Sequence, residues 1–151
     1  MLLDSLLVPE TIVRRKSFVG LMALYESNYL RLLRLIPEIG HIDGCLKSRV
    51  AGECDLYVDI IERSRYTVSL SLTYRLATQA GLIRDPDMMI RVYLDGLQAE
   101  VLSIGETQRH VALRRLVEEH RKELDSRWRS NMILNKWLDY LTEQGHLVLD
   151  R

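Results

Sequence analysis

Cysteine, proline and phenylalanine are scarce in this chain, which has two, three and one of them in 151 residues. Two thiols, Cys45 and Cys54, cannot build the disulfide framework of a small secreted scaffold, and they read as reduced cysteines. Charge of one sign is also lacking, because 21 basic residues balance 21 acidic ones. Non-specific affinity for nucleic acid comes mainly from neutralising phosphates, so a balanced chain is poorly suited to a nucleic-acid partner. No apolar run is long enough to cross a bilayer. The opening residues, MLLDSLLVPE, include Asp4 and lack both a basic stretch and a small-residue cleavage site, so neither signal peptide nor anchor is expected. Together these absences point to a cytoplasmic location and no membrane partner.

Motifs that carry chemistry are missing too. There is no Gly-rich phosphate loop, no H-E-x-x-H, no paired C-x-x-C and no G-x-S-x-G. The four histidines, His41, His110, His120 and His146, are scattered. His41 and Cys45 stand four apart, but Asp43 and Gly44 between them break the helix that would bring them to one face. A metal site built from His41, Cys45 and Cys54 is therefore not expected, and no cofactor is implied.

What is present is ordinary globular composition, 47% hydrophobic and 28% charged, on a chain long enough for one domain with a single core. Residues 1–16, with Pro9 and the triplet Arg14-Arg15-Lys16, read as a lead-in. Residues 17–146 read as one α+β domain and 147–151 as a tail. Ser17 is a candidate N-cap. After it Phe18, Leu21, Met22, Tyr25, Tyr29, Leu32, Leu33 and Ile36 recur at helical spacing until Pro37. Asn28, beside that stripe, reads as a buried, satisfied amide. The chain turns at Gly40 and Asp43-Gly44, and a first strand is expected from about Cys45 to Ala51.

Between Asp55 and Tyr74 two alternating runs follow. Leu56, Val58 and Ile60 share a face in the first, and Tyr66, Val68, Leu70, Leu72 and Tyr74 share one in the second. A three-residue loop at Arg63-Ser64-Arg65 would pair Val58 with Leu70 and Ile60 with Val68, keeping both apolar sets together. Residues 75–87, with Gly81 and Pro86, read as a connection. Asp95-Gly96 then signals a type I′ hairpin turn. That register opposes Val92 to Ala99 and Ile90 to Val101 on an apolar face. It opposes Tyr93 to Gln98 and Arg91 to Glu100 on a polar one. Past Thr107 a charge-rich helix is expected, mostly solvent-exposed. A last helix from about Ser126 to Gln144 packs Trp128 and Trp137 inward, with Gly145 at its C′ position. The fold class is α+β: an N-terminal helix, an antiparallel meander of about five strands, and two C-terminal helices packed on the sheet.

Four segments resemble the YqiB-like family of small proteobacterial proteins, also described as domain of unknown function 1249. They are Glu26-x-Asn28-Tyr29 with Leu32-Leu33-Arg34-Leu35-Ile36-Pro37, Glu62-x-Ser64-Arg65-Tyr66-Thr67, Arg91-x-Tyr93-x-Asp95 with Ala99-Glu100-Val101, and Asn131-x-x-Leu134-x-x-Trp137-Leu138 with Gly145. The resemblance covers roughly residues 18–146 in order. It departs at Leu94, where the family commonly carries a histidine, and in lacking a Tyr-Pro-Asn before the last helix. No catalytic role is carried over to those two places.

Two functions fit this reading. The first is a non-enzymatic module that binds or regulates a protein partner, motivated by a well-specified fold without an assembled catalytic signature. The second is a protein, or enzyme, that takes a small anionic or nucleotide-like ligand on the sheet. There Arg65 and Arg91 would hold the anion, Tyr66 and Tyr93 would orient it, and Glu62 or Glu100 would act as base.

Overall fold

A computed structural model describes residues 18–105 and 108–150; the lead-in and the Ser17 cap lie outside them. The elements are α1 (Phe18–Leu35), β1 (Cys45–Ser48), β2 (Asp55–Arg63), β3 (Thr67–Thr78), β4 (Gly81–Tyr93), β5 (Gln98–Ile104), α2 (Val111–Glu119) and α3 (Ser126–Glu143). The five strands form one antiparallel sheet in chain order, so the α+β meander with flanking helices is the architecture observed.

The last hairpin has the register that hydrophobic matching requires. Ile90 opposes Val101 and Val92 opposes Ala99, while Arg91 opposes Glu100 and Tyr93 opposes Gln98. Its turn differs from the expected type I′. The positive φ, 55°, falls on Leu97 and not on Asp95 or Gly96. The loop is therefore the four residues 94–97, with Gly96 N donating to Asp95 Oδ1. Face matching fixed the pairing, but two loops of equal parity allow it.

The β2–β3 loop is three residues long, but it is Ser64-Arg65-Tyr66. Val58 opposes Leu72, and Ile60 opposes Leu70. The expected pairs are thus shifted by two residues, which keeps the same face. Two features account for the shift. A bulge at Ile61 adds one residue to β2. Arg63 is also drawn out of the turn, because its guanidinium donates to Gly40 O at 3.1 Å, Ile39 O at 3.0 Å and Ile42 O, tying down the α1–β1 loop.

Residues 75–87 are not a connection. They complete β3 and open β4 as a long hairpin that turns at 79–80. Pro86, the residue that argued against a strand, lies where the register slips between the Leu72–Met88 and Tyr74–Asp85 pairs. A bulge is where a sheet tolerates the missing proline N–H. At the other end, β1 stops at Ser48, short of Ala51.

The core lies between one sheet face and the helices. It joins Leu32 and Leu35 of α1, Val58, Leu70, Leu72, Ile90 and Val92 of the sheet, and Leu134, Trp137, Leu138 and Leu141 of α3. Phe18, expected on the buried stripe of α1, is 75% exposed. The polar flank of α1 faces α3 instead. Asn28 donates to Asn131 Oδ1 (3.2 Å) and accepts from Asn135 Nδ2 (3.0 Å), so it is the satisfied buried amide expected. Arg31, itself buried, bonds Asp139 Oδ1 and Ser27 Oγ. Asn131 Oδ1 also accepts from Val101 N, on the outer side of β5, at 2.9 Å. One α3 amide therefore ties both α1 and the sheet.

The helix ends position the site. Asp125 caps α3 by accepting from Arg127 N and Trp128 N. At the other end Gly145 takes φ 97°. Gly145 N bonds Thr142 O and His146 N bonds Leu141 O, the pairing of a Schellman motif. His146 is thereby turned inward. The chain beyond it stays attached, with Val148 N on Leu35 O and the Val148 side chain buried.

Candidate functional site

A group of titratable side chains lies on the helix side of the sheet, around Glu53. Glu53 sits in the β1–β2 loop, just past Gly52, whose φ of 82° reverses the chain there. Its Oε1 accepts from the Tyr74 hydroxyl at 3.4 Å and lies 3.5 Å from His110 Nε2. Its Oε2 accepts from the Tyr140 hydroxyl at 3.2 Å. Strand β3, the start of α2 and the end of α3 thus converge on one carboxylate.

His110 is placed by its role as N-cap of α2, where its Nδ1 accepts from Ala112 N at 3.1 Å. An accepting Nδ1 leaves the proton of the neutral ring on Nε2, the nitrogen that faces Glu53. Asp85, buried on β4, holds this helix start through Oδ2, which accepts from Arg109 N (2.8 Å) and His110 N (2.5 Å).

Behind Glu53 a hydrogen-bonded chain runs inward. The Tyr74 hydroxyl is 2.8 Å from His146 Nε2, and His146 Nδ1 is 2.9 Å from Ser48 Oγ. Ser48 Oγ also accepts from Leu147 N. One polarity gives every proton an acceptor: Ser48 O–H to His146 Nδ1, His146 Nε2–H to Tyr74, and Tyr74 O–H to Glu53. Burial pushes the His146 imidazole below its usual pKa, so the ring is neutral in this chain. Burial first, and the nearby Glu53 second, raise the Tyr74 phenol far above its ordinary range. The same two causes raise Tyr140. Both phenols keep their protons as donors.

Rings enclose the group. Tyr140 stacks on the buried Trp137 with centroids 5.1 Å apart and planes 13° from parallel. His110 stands edge-on to both, at 5.4 and 5.5 Å. In front of Glu53, His110 and Tyr140 opens a cleft of about 500 Å³, with Arg109 and Arg115 at its rim. A second cleft of about 340 Å³ adjoins it and shares Arg115 and Tyr140. A carboxylate beside an imidazole, with cations at the rim, can hold an anion and accept a proton from a bound group.

The residues expected from sequence lie elsewhere and form two groups. Arg91, Tyr93 and Glu100 share the polar face, the one opposite the core. Tyr93 donates to Glu100 Oε2 at 2.6 Å, while Arg91 Nε donates to Ser69 Oγ at 3.4 Å. Glu62 is exposed opposite Ser69. Arg65 lies over the Tyr66 ring, 5.3 Å from its centroid, at the exposed β2–β3 turn. The two turns adjoin through Leu94 N on Tyr66 O. Ser48, Glu53, Tyr74, His110, Tyr140 and His146 were not singled out together, because no local spacing links them. Among the described residues no group of His, Cys, Asp and Glu has the arrangement of a metal site. Cys45 and Cys54 are free thiols. No helix among those residues is long and apolar enough to cross a membrane.

The family model of DUF1249, described as a protein of unknown function, matches residues 31–147. The chain belongs to that family. The matched span contains the whole Glu53 group. Relatives described as "Uncharacterized protein YqiB" come from Escherichia coli K12 and from Escherichia coli O157:H7. Each is 26% identical over 132 residues, covering 87% of this chain and 93% of the relative. No solved structure matches the chain.

Proposed function

We propose that this DUF1249 protein binds a small anionic ligand in the cleft between α2, α3 and the β1–β2 loop, and that it does so in the cytoplasm. The observation that carries the reading is the convergence of Tyr74, Tyr140 and His110 on Glu53, at the wall of a cleft rimmed by Arg109 and Arg115. A carboxylate has about four lone-pair positions, so Glu53 retains capacity for one more donor. A hydroxyl or ammonium group on the anion, where the ligand carries one, has that position open to it. On this reading the anion lies in the cleft and not on the sheet surface of Arg65 and Arg91.

Thermal unfolding against phosphates, nucleotides, sugar phosphates and hydroxy acids tests it. A ligand at about 100 times its dissociation constant adds roughly 2.7 kcal/mol. The expected result is a dose-dependent rise with one chemical class that Arg115→Ala cuts to about half at the same ligand concentration. A flat panel, or a rise unchanged in Arg115→Ala, would sink the reading.

A non-enzymatic protein-interaction module is the second reading. What favours it is the exposure of Ile61, Tyr66 and Leu97, at 58%, 50% and 54%, around the β2–β3 and β4–β5 turns. Saturable capture of one protein, lost in Tyr66→Ser, is the result it requires.

A further inference from the structure

The stacked pair on α3 narrows the chemistry of the ligand, given the anion-binding reading above. Trp137 and Tyr140 lie three residues apart on one helix face, near one another and nearly parallel. Trp137 is fully buried, so it occupies the inner face of Tyr140. His110 is almost equidistant from the two rings, 5.4 Å from one and 5.5 Å from the other. A ring lying over the outer face of Tyr140 would be much farther from Trp137 than from Tyr140. His110 is therefore beside the stack, at its shared edge. Among the described residues no aromatic ring covers the outer face of Tyr140, and that residue lines both adjoining clefts. Arg115 lines both as well, and Arg109 lines the larger one.

We propose that Tyr140 is a stacking platform, and that the cleft takes a planar aromatic ring bearing an anionic group. The ring extends the Trp137–Tyr140 stack by one layer, and the anion reaches Arg109 and Arg115. Three features favour this over simple anion capture. The Tyr140 hydroxyl is anchored on Glu53, which fixes the ring plane at little further entropic cost. The buried Trp137 backs the platform. Arg109 and Arg115 line the same cleft as Tyr140, which puts ring and cations on one cavity. Offset stacking of a ligand ring on a tyrosine is tolerant of the ring's identity, because it needs only a π face. The site thus selects a chemical class.

Calorimetric titration of the full chain with phenyl phosphate, inorganic phosphate and phenol tests this. Phenyl phosphate is expected to bind at least about five-fold more tightly than inorganic phosphate, and phenol alone weakly. Tyr140→Phe keeps the ring but loses the Glu53 anchor, so most of that ratio should remain, whereas Tyr140→Leu should bring it near one while phosphate still binds. Should Tyr140→Leu not fold, the wild-type ratio and its retention in Tyr140→Phe decide the matter. Equal affinity for phenyl phosphate and phosphate in the wild type, or a ratio lost in Tyr140→Phe, overturns the platform and leaves the anion reading standing. If neither anion binds, the anion reading fails and the platform fails with it.

Discussion

The imidazole of His146 and the hydroxyl of Tyr74, 72 residues apart in sequence, lie 2.8 Å from one another in the core. The contact depends on a neutral ring, since burial disfavours the imidazolium. The folded-state pKa is thus below that of the unfolded chain, near 6.5. The unfolded state binds the proton more readily, so the stabilisation is complete above about pH 6.5 and is lost as pH falls through the folded-state value. His146→Gln should flatten that acid limb while lowering stability near neutrality. Thermal unfolding from about pH 7.5 to about pH 5 checks it, and parallel profiles for the two proteins would refute the assignment.

Asn131 satisfies Val101 N and Asn28 Nδ2 through one oxygen. Asn131→Leu leaves a buried backbone donor and a buried amide without their partner, each at about 1–3 kcal/mol. Urea unfolding should show a loss of at least about 2 kcal/mol. A loss under about 0.5 kcal/mol, the scale of a surface change, would mean that the seam is not under this constraint.

Arg115 and Arg91 discriminate the two candidate surfaces. Arg115 lines the cleft, while Arg91 is engaged with Ser69 on the far side of the sheet. Arg115→Ala should weaken anion binding roughly ten-fold, about 1.4 kcal/mol, and Arg91→Ala should leave it unchanged. The reverse result would move the site to the sheet surface.

Leu97 adopts φ 55° and is 54% exposed. A left-handed backbone is unfavourable for leucine, and asparagine tolerates it better. Leu97→Asn should stabilise the fold by about 0.5 kcal/mol, raising the midpoint by about 1–2 °C. An unchanged or lower midpoint contradicts this account of the turn.

Element identity was largely legible because alternation and helical spacing are local. The apolar pairs Ile90–Val101 and Val92–Ala99 specify one register, and the tryptophans mark the inner face of α3. Other features were not legible. The Arg63 contacts with the α1–β1 loop join residues about twenty positions apart, so the turn they shift could not be placed by alternation. Pro86 reads as a breaker unless the bulge beside it is known. The Glu53 group draws on the β1–β2 loop, β3, α2 and α3, and its histidines look scattered until a helix cap places one and a Schellman turn the other. Asn28 was legible in kind, as a buried amide, but its partners Asn131 and Asn135 were not.

The Asn131 amide has a consequence for how this protein behaves at high concentration. An outermost strand offers unpaired N–H groups on which a second molecule can build, the usual route to strand-by-strand polymerisation. Here a side-chain carbonyl occupies the position that an incoming strand's carbonyl would need at Val101. At the opposite border β1 is only four residues long, too short to template much pairing. The same asparagine that joins α1 to α3 therefore also withholds one edge donor from an incoming strand.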